Sequence, residues 1–420
     1  MDYRAGTTTD ERPGAGATVS AGRVPTGVPE GDLLVTVTGP DRPGVSAELF
    51  DCVGPYADAV VDVEQVVIRG HLVLGVLLRA LDRIGLETAV KEFAYRSGMQ
   101  AEVLDAPPSA GEVPKRHQVT VVGHPVSPQA FSALVHATAA HGANIDRIVR
   151  LARYPTSAFE LELSGGVVLG LRAAIAAIAG EYSVDIALQP LALHRKAKRL
   201  VLMDVDSTLI QGEVIEMLAA AAGSDVEREV AAVTERAMAG DLDFEASLRA
   251  RVALLAGLPE SVVEDVRLRV QLQPGATTLV RTLKRLGHRV GVVSGGFTQI
   301  VDGLSKDLDL DFSRANELEI VDGVLTGKVV GRVIDRAGKA DALREFAASF
   351  GVHLEQTVAV GDGANDLDML AAAGLGIAYN AKTVVREAAD ASLSIPYLDA
   401  VLFLLGISRD DVEEAEREGD

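Results

Sequence analysis

Three short apolar runs, each ending in a polar or glycine-rich cluster, constrain this chain more than any other feature. They are RLVLMDVDST from residue 199, HRVGVVSGGF from 288 and QTVAVGDGAND from 356. Near-continuous apolar runs of this length are strands covered on both faces of a parallel sheet. Helical stretches lie between them, which is the alternation of an α/β fold. Ligands of open α/β sheets lie beyond the C-terminal strand ends, so three strands delivering polar residues to one edge predict a site there. A carboxylate at the end of a buried strand is costly unless a metal, a catalytic task or a hydrogen-bonded turn compensates it. Asp204 and Asp206 are therefore the first candidate residues.

Between the first two of these strands, residues 212–273 are mostly helical in pattern and too long for an ordinary loop. They read as an inserted cap over the site. Residues 316–331, NELEIVDGVLTGKVVG, read as a β-hairpin around Asp322-Gly323. The first half of the chain is different. LLVTVTG, GVSAELFDCVG, DAVVDVEQVVIRG, HLVLGVLLRA, LETAVKEFAYRSGM and QAEVLD follow one another as β-α-β-β-α-β, and the order recurs after a proline-containing linker at 105–116. Two successive copies of one unit indicate duplication, here of the split β-α-β arrangement.

Composition narrows the function. The chain has 420 residues, which by length suggests about two to four domains. It is 48% hydrophobic and only 4% aromatic, without Trp, which argues against stacking platforms for single-stranded nucleic acid. Its formal net charge of -20 repels phosphate backbones, so nucleic acid is not an expected partner. An anionic substrate then needs a local positive site. The one cysteine, Cys52, reads as a small apolar helix residue. Residues 1–31 show no apolar core of a secretory signal and read as a disordered tail. No apolar run approaches a membrane span. The expectation is a cytoplasmic protein with no membrane partner.

DVDSTL, SGGF, a lysine before a helix (Lys339) and GDGAND, in that order, resemble the four motifs of the haloacid dehalogenase-like hydrolase superfamily, in the wording of its phosphoserine phosphatases. The resemblance covers roughly residues 199–410. The two N-terminal repeats resemble ACT domains, small amino-acid-sensing modules, through their topology and GPDRPG at 39–44. Together they imply a disordered tail at 1–31, ACT-like domains at 32–106 and 116–191, and a phosphatase domain at 198–410 with its cap at about 212–273. The implied fold class is α/β: a Rossmann-like parallel sheet with an inserted helical cap, preceded by two α+β ferredoxin-like domains.

The resemblance also implies roles. Asp204 would be the nucleophile, since a carboxylate attacks phosphorus without losing a proton. Asp206 would protonate the leaving oxygen and then activate water; pump-like relatives carry Thr there, so Asp disfavours a phosphotransferase or pump. Asp204, Asp362 and the backbone carbonyl of Asp206 would hold Mg2+, with Asp366 as a further or water-mediated contact. Ser294 and Gly295 would hold phosphate oxygens, with the next helix starting there. Lys339 would supply positive charge. Alone, SGG reads as an ordinary turn, Lys339 as a solvated helix lysine and GDGAND as an Asx-Gly turn.

For phosphoserine as substrate, Glu213 would meet the ammonium and Arg251 would clamp the carboxylate. Arg249 is the fallback, two positions away on another helix face. Met238 and Phe244 would form an apolar wall, and Asn365 would touch substrate. The implied reaction is Mg2+-dependent hydrolysis of O-phospho-L-serine through an aspartyl-phosphate, the last step of serine biosynthesis. Serine would bind the ACT-like pair and inhibit, with Asp41, Gly44 and Asn144 as candidate regulatory residues, in a homodimer. The alternatives are another small phosphomonoester as substrate, or an amino-acid-sensing regulator with an inert hydrolase half.

Overall fold

Alternation of apolar and polar residues builds the first domain. Strand β1 (Gly31–Pro40) buries Leu33, Val35 and Val37 and turns the residues between them outward. It pairs antiparallel with β3 (His71–Ala80) and β4 (Gln100–Asp105), and β2 (Ala57–Ile68) closes the order β2-β3-β1-β4. Helices α1 (Val45–Val53) and α2 (Arg83–Ser97) cover one face through Leu49, Val53, Leu86, Val90 and Phe93. Asp82 caps α2 by accepting the N–H of Gly85, and Gly98 ends it at φ 71°. The computed structural model describes residues 31–106, 116–191, 197, 200–238 and 242–418. The tail at 1–30 and most of the linker expected at 105–116 lie outside the described residues.

The second copy repeats the topology with β5 (Arg116–Gly123), α3 (Pro128–Ala140), β6 (Ala143–Ala152), β7 (Ser157–Gly165), α4 (Val168–Tyr182) and β8 (Asp185–Pro190), in the order β6-β7-β5-β8. It differs in one physical respect. Both faces of β5 are covered: Val119 and Val121 lie under the helices, while Gln118, Thr120 and Val122 are buried on the other side. Val122, Ala158 and Ala187 belong to the same buried cluster as Val401 and Phe403 of the C-terminal domain. The Asp185 carboxylate accepts the Ser394 N–H at 2.7 Å, and Gln189 donates to the Leu404 carbonyl at 3.2 Å. Burial lifts Asp185 above the ordinary carboxylate range.

The C-terminal domain is built on β9 (Leu200–Met203), four residues buried on both faces. Val201 and Met203 enter one core, Leu200 and Leu202 the other. Its parallel neighbours are β10 (Arg289–Phe297) and β13 (Thr357–Gly361). The full order is β12-β11-β10-β9-β13-β14-β15, with β11 (Phe312–Val321), β14 (Gly376–Tyr379) and β15 (Ala391–Leu393) parallel and β12 (Val324–Val330) an antiparallel edge. Asp322 and Gly323 carry positive φ of 53° and 75° in the β11–β12 turn, as a type I′ hairpin requires.

Between β9 and β10 come α5 (Val214–Ala222), α6 (Ser224–Met238), α7 (Phe244–Ala253) and α8 (Glu260–Arg267), followed by α9 (Ala276–Arg285). The chain enters and leaves the four-helix segment through paired backbone: Gln211 N–H donates to the Gln271 carbonyl at 2.8 Å and Gln273 N–H to that of Leu209 at 2.9 Å. Helix α10 (Thr298–Asp307) follows β10, α11 (Arg336–Ser349) precedes β13 and α12 (Leu367–Ala372) follows it. Among the described residues, no helix is long and apolar enough to cross a membrane.

Candidate active site

Where β9 stops, Asp204 stays in register by donating its N–H to the Val360 carbonyl of β13 at 2.9 Å. The residue is 2% exposed. The chain then makes one tight turn, with the N–H groups of Leu209 and Ile210 both donating to the Val205 carbonyl. Ser207 takes a left-handed φ of 58° within it. That turn carries Asp206 back over the strand end. Its carboxylate accepts the N–H of Val214, the first residue of α5, at 2.7 Å and the hydroxyl of Ser294 at 3.0 Å. A carboxylate at a helix N-terminus is well placed electrostatically.

The site's cation comes from α11. Asp335 caps this helix through the Gly338 N–H, which puts Lys339 in its first turn, pointing inward. Lys339 is wholly buried, and its Nζ lies 2.7 Å from Asp204 Oδ1 and 2.7 Å from Asp366 Oδ1. The other Asp366 oxygen accepts the Gly363 N–H at 2.9 Å. Gly361 leaves room for this carboxylate: a Cβ there would stand 2.5 Å from Asp366 Cγ. Asp362 accepts the Thr208 hydroxyl at 3.1 Å. Carboxylate oxygens of Asp204, Asp362 and Asp366 all lie within 4.8 Å of one another.

Four acids thus face one buried lysine. Burial pushes Asp204 well up, the charges on Asp366 and Asp206 add to the rise, and Lys339 opposes it. Burial also raises Asp206, and it raises Asp362 to about 6 with help from Asp366. The same carboxylates hold Lys339 firmly protonated against its own burial. A hard divalent cation suits this donor set, which is oxygen throughout and carries excess negative charge.

Ser294 and Gly295 reach the site from β10, not from a helix. The helix expected at SGG starts later, at Thr298, because the strand bulges first. Val293 pairs with Arg314 and Phe297 with Asn316, so residues 294–296 stand against Ala315 alone. The Gly296 N–H donates to Ser294 Oγ at 2.7 Å.

The four-helix segment brings the remaining residues. Phe244, at the start of α7, closes over the bulge: a Cβ on Gly295 would meet its Cζ at 3.0 Å. Glu213, just before α5, accepts the Ser207 hydroxyl at 3.1 Å. Burial and the charge of Asp206 raise it to about 7. Arg251 is half-buried and sits in the field of Glu213, Glu216 and Asp206. Arg249 turns away, pairing with Glu245 at 2.7 Å and donating to the Val329 carbonyl. Helix geometry therefore favours Arg251. Asn365 folds its side-chain oxygen over Gly363, beside Asp362. Met238 ends α6, and its side chain lies outside the described residues. Three supporting side chains were assigned no role from sequence: Thr208, which donates to Asp362, Asn316, which donates to the Gly295 carbonyl, and Gln273, which donates to the Ser207 and Ile210 carbonyls. Only Thr208 left a signal, as the hydroxyl next to the DVDS cluster. Asp41, Gly44 and Asn144 lie far down the chain from this constellation, in the two N-terminal domains.

The chain is similar to known proteins. A family model of haloacid dehalogenase-like hydrolases matches residues 201–371, and ACT domain models match 31–103 and 115–189. A phosphoserine phosphatase of Streptomyces coelicolor is 56% identical over 91% of this chain and 94% of its own length. One from Mycobacterium tuberculosis is 52% identical over 91% and 95%. The structure of a probable phosphoserine phosphatase from Vibrio cholerae, unliganded, superposes with a TM-score of 0.56 at 36% identity, covering 71% of this chain and 88% of that one. The chain belongs to the phosphoserine phosphatase family of haloacid dehalogenase-like hydrolases, with two ACT domains ahead of the catalytic one.

Proposed function

We propose that the chain hydrolyses O-phospho-L-serine to L-serine and phosphate. The observation that carries this is a buried lysine joined to Asp204, with Glu213 and Arg251 both in the electrostatic field of the neighbouring Asp206. The first set suits a phosphoryl group and the second an ammonium and a carboxylate. Asp204 attacks phosphorus, forming a P–O bond to its side chain as the bond to the serine oxygen breaks. Asp206 gives that oxygen its proton. It then takes one from the water that attacks the aspartyl-phosphate, releasing phosphate and restoring Asp204. Lys339 balances charge on Asp204 and the transferred group. Ser294 and the Gly295 N–H hold the non-bridging oxygens of the transferred group, and Phe244 excludes bulk water.

Mg2+ fits the acidic cluster. The Asp204 and Asp362 side chains and the Asp206 carbonyl would hold it, and when bound it offsets the repulsion between nucleophile and phosphate. The test is phosphate release from phosphoserine and from phosphoethanolamine, which lacks the carboxylate. Phosphoserine should be strongly preferred, and a chain that releases no phosphate from either would overturn the proposal.

We further propose serine as an inhibitor bound at the first ACT domain, in a homodimer. Gly44 precedes α1 at φ 93° without a side-chain cap; the Val45 N–H donates to the Arg42 carbonyl at 3.5 Å, which leaves the N–H groups of Ser46 and Ala47 to meet a carboxylate. Its counterpart in the second copy is closed by Ser127, which accepts the Ala130 N–H. Asn144 donates to Asp146 at 2.7 Å and stays exposed. Removing residues 1–190 would strip the apolar cover from the catalytic domain. Asp41→Ala in the full chain is the cleaner test: serine inhibition should weaken at unchanged basal activity.

A further inference from the structure

Asn316 is 2% exposed, and both ends of its amide are committed to backbone. Its Nδ2 donates to the Gly295 carbonyl at 2.9 Å, and its Oδ1 accepts the Ile334 N–H at 2.7 Å. The first contact lies in the β10 bulge. The second lies in the segment that leads into α11 and Lys339. A bulge removes ladder partners from the strand that carries it, and a buried carbonyl without a partner is costly. Asn316 meets that need for Gly295.

Its effect extends one peptide further. The carbonyl of Gly295 and the N–H of Gly296 belong to one planar unit. With the carbonyl held by Asn316, the N–H is aimed at Ser294 Oγ. That oxygen, already accepting, turns its proton to Asp206 Oδ2. A single side chain thus fixes the peptide plane of the bulge, the hydroxyl direction of Ser294 and the approach of the Lys339 helix.

We propose that Asn316 is a positioning residue for phosphoryl transfer, holding the Ser294–Gly296 bulge and the segment before Lys339 in the spacing the transition state needs. It touches no reacting atom. The proposal rests on the phosphatase reading above. Displacements of about 1 Å at such sites cost about 100-fold in rate, and groups that act chiefly in the transition state lower kcat more than they raise KM.

The test compares the full wild-type chain with Asn316→Asp and Asn316→Ser. The first keeps an acceptor for Ile334 but loses the donor to Gly295. The second is smaller, keeps a hydroxyl and leaves room for a bridging water. Phosphoserine kinetics, inhibition by orthovanadate and thermal unfolding are measured on each. Asn316→Asp should lower kcat about 100-fold with KM within about threefold, and the vanadate inhibition constant should rise in parallel with the loss in kcat/KM. Asn316→Ser should lie between the two. If folded Asn316→Asp keeps kcat/KM within threefold of wild type, if Asn316→Ser is the more damaged of the two, or if either loses activity while vanadate binds unchanged, the proposal is wrong. Failure of the phosphatase reading shows separately, as an inactive wild type.

Discussion

Lys339 Nζ lies 2.7 Å from Asp204 Oδ1, and neither side chain has meaningful access to solvent. Such a pair gains little net stability, because desolvation offsets the attraction, but removing one partner leaves a buried charge uncompensated. Lys339→Met should therefore destabilise the metal-free protein by about 3–5 kcal/mol, read by urea or thermal unfolding. Phosphatase activity should fall at least about 100-fold. An active, equally stable variant would remove Lys339 from the account.

Glu213 gives a pH signature. Burial, then the charge of Asp206, lifts its carboxyl to about 7, and it must ionise to meet an ammonium. In the free enzyme kcat/KM should rise with pH through about 7 and level above it. Glu213→Gln should lack that limb and show a lower kcat/KM at pH 8. The comparison of the two profiles separates this group from the substrate's own phosphate.

Asp362 predicts competition between protons and metal. Its folded-state value of about 6 exceeds the ordinary carboxylate value of about 4. A raised carboxyl binds more protons folded than unfolded, so metal-free stability should fall as pH climbs from about 4 to about 6. Mg2+ must displace those protons. Calorimetry at pH 5.5 should detect proton release on binding and an affinity well below that at pH 7.5. Equal affinities would contradict the assignment.

The two arginines of α7 can be told apart. Arg251→Ala should reduce kcat/KM for phosphoserine by at least about tenfold, with little effect on phosphoethanolamine; losing a hydrogen-bonded charge pair has that scale. Arg249→Ala should leave both nearly unchanged, since its contacts with Glu245 and the Val329 carbonyl lie on the other helix face. Equal losses on both substrates in Arg251→Ala would remove the clamp.

The α/β class and the two ferredoxin-like repeats were legible because hydrophobic period and strand-end chemistry agree, as in LVLM running into Asp204. The fate of Lys339 was legible only through its place in the order of motifs: alone, a helix lysine reads as solvated until the fold places Asp204 and Asp366 beside it. The start of α10 was misread at Ser294–Gly295, since a glycine pair signals a turn equally well as a bulge. The register of β10 against β11 and the long-range bond from Asn316 to the Gly295 carbonyl distinguish them. Nor does the alternation in β5 reveal that Gln118 and Thr120 are covered; that depends on the catalytic domain packing against them.

The central claim is that Asp204 itself takes the phosphoryl group. Rapid mixing of the enzyme with phosphate-labelled phosphoserine, an acid quench and peptide mapping test it directly. Label should appear on the peptide containing Asp204, be released by hydroxylamine and be absent in Asp204→Asn, which should also be inactive. Undiminished turnover in Asp204→Asn, or turnover with label on a different residue, would contradict it.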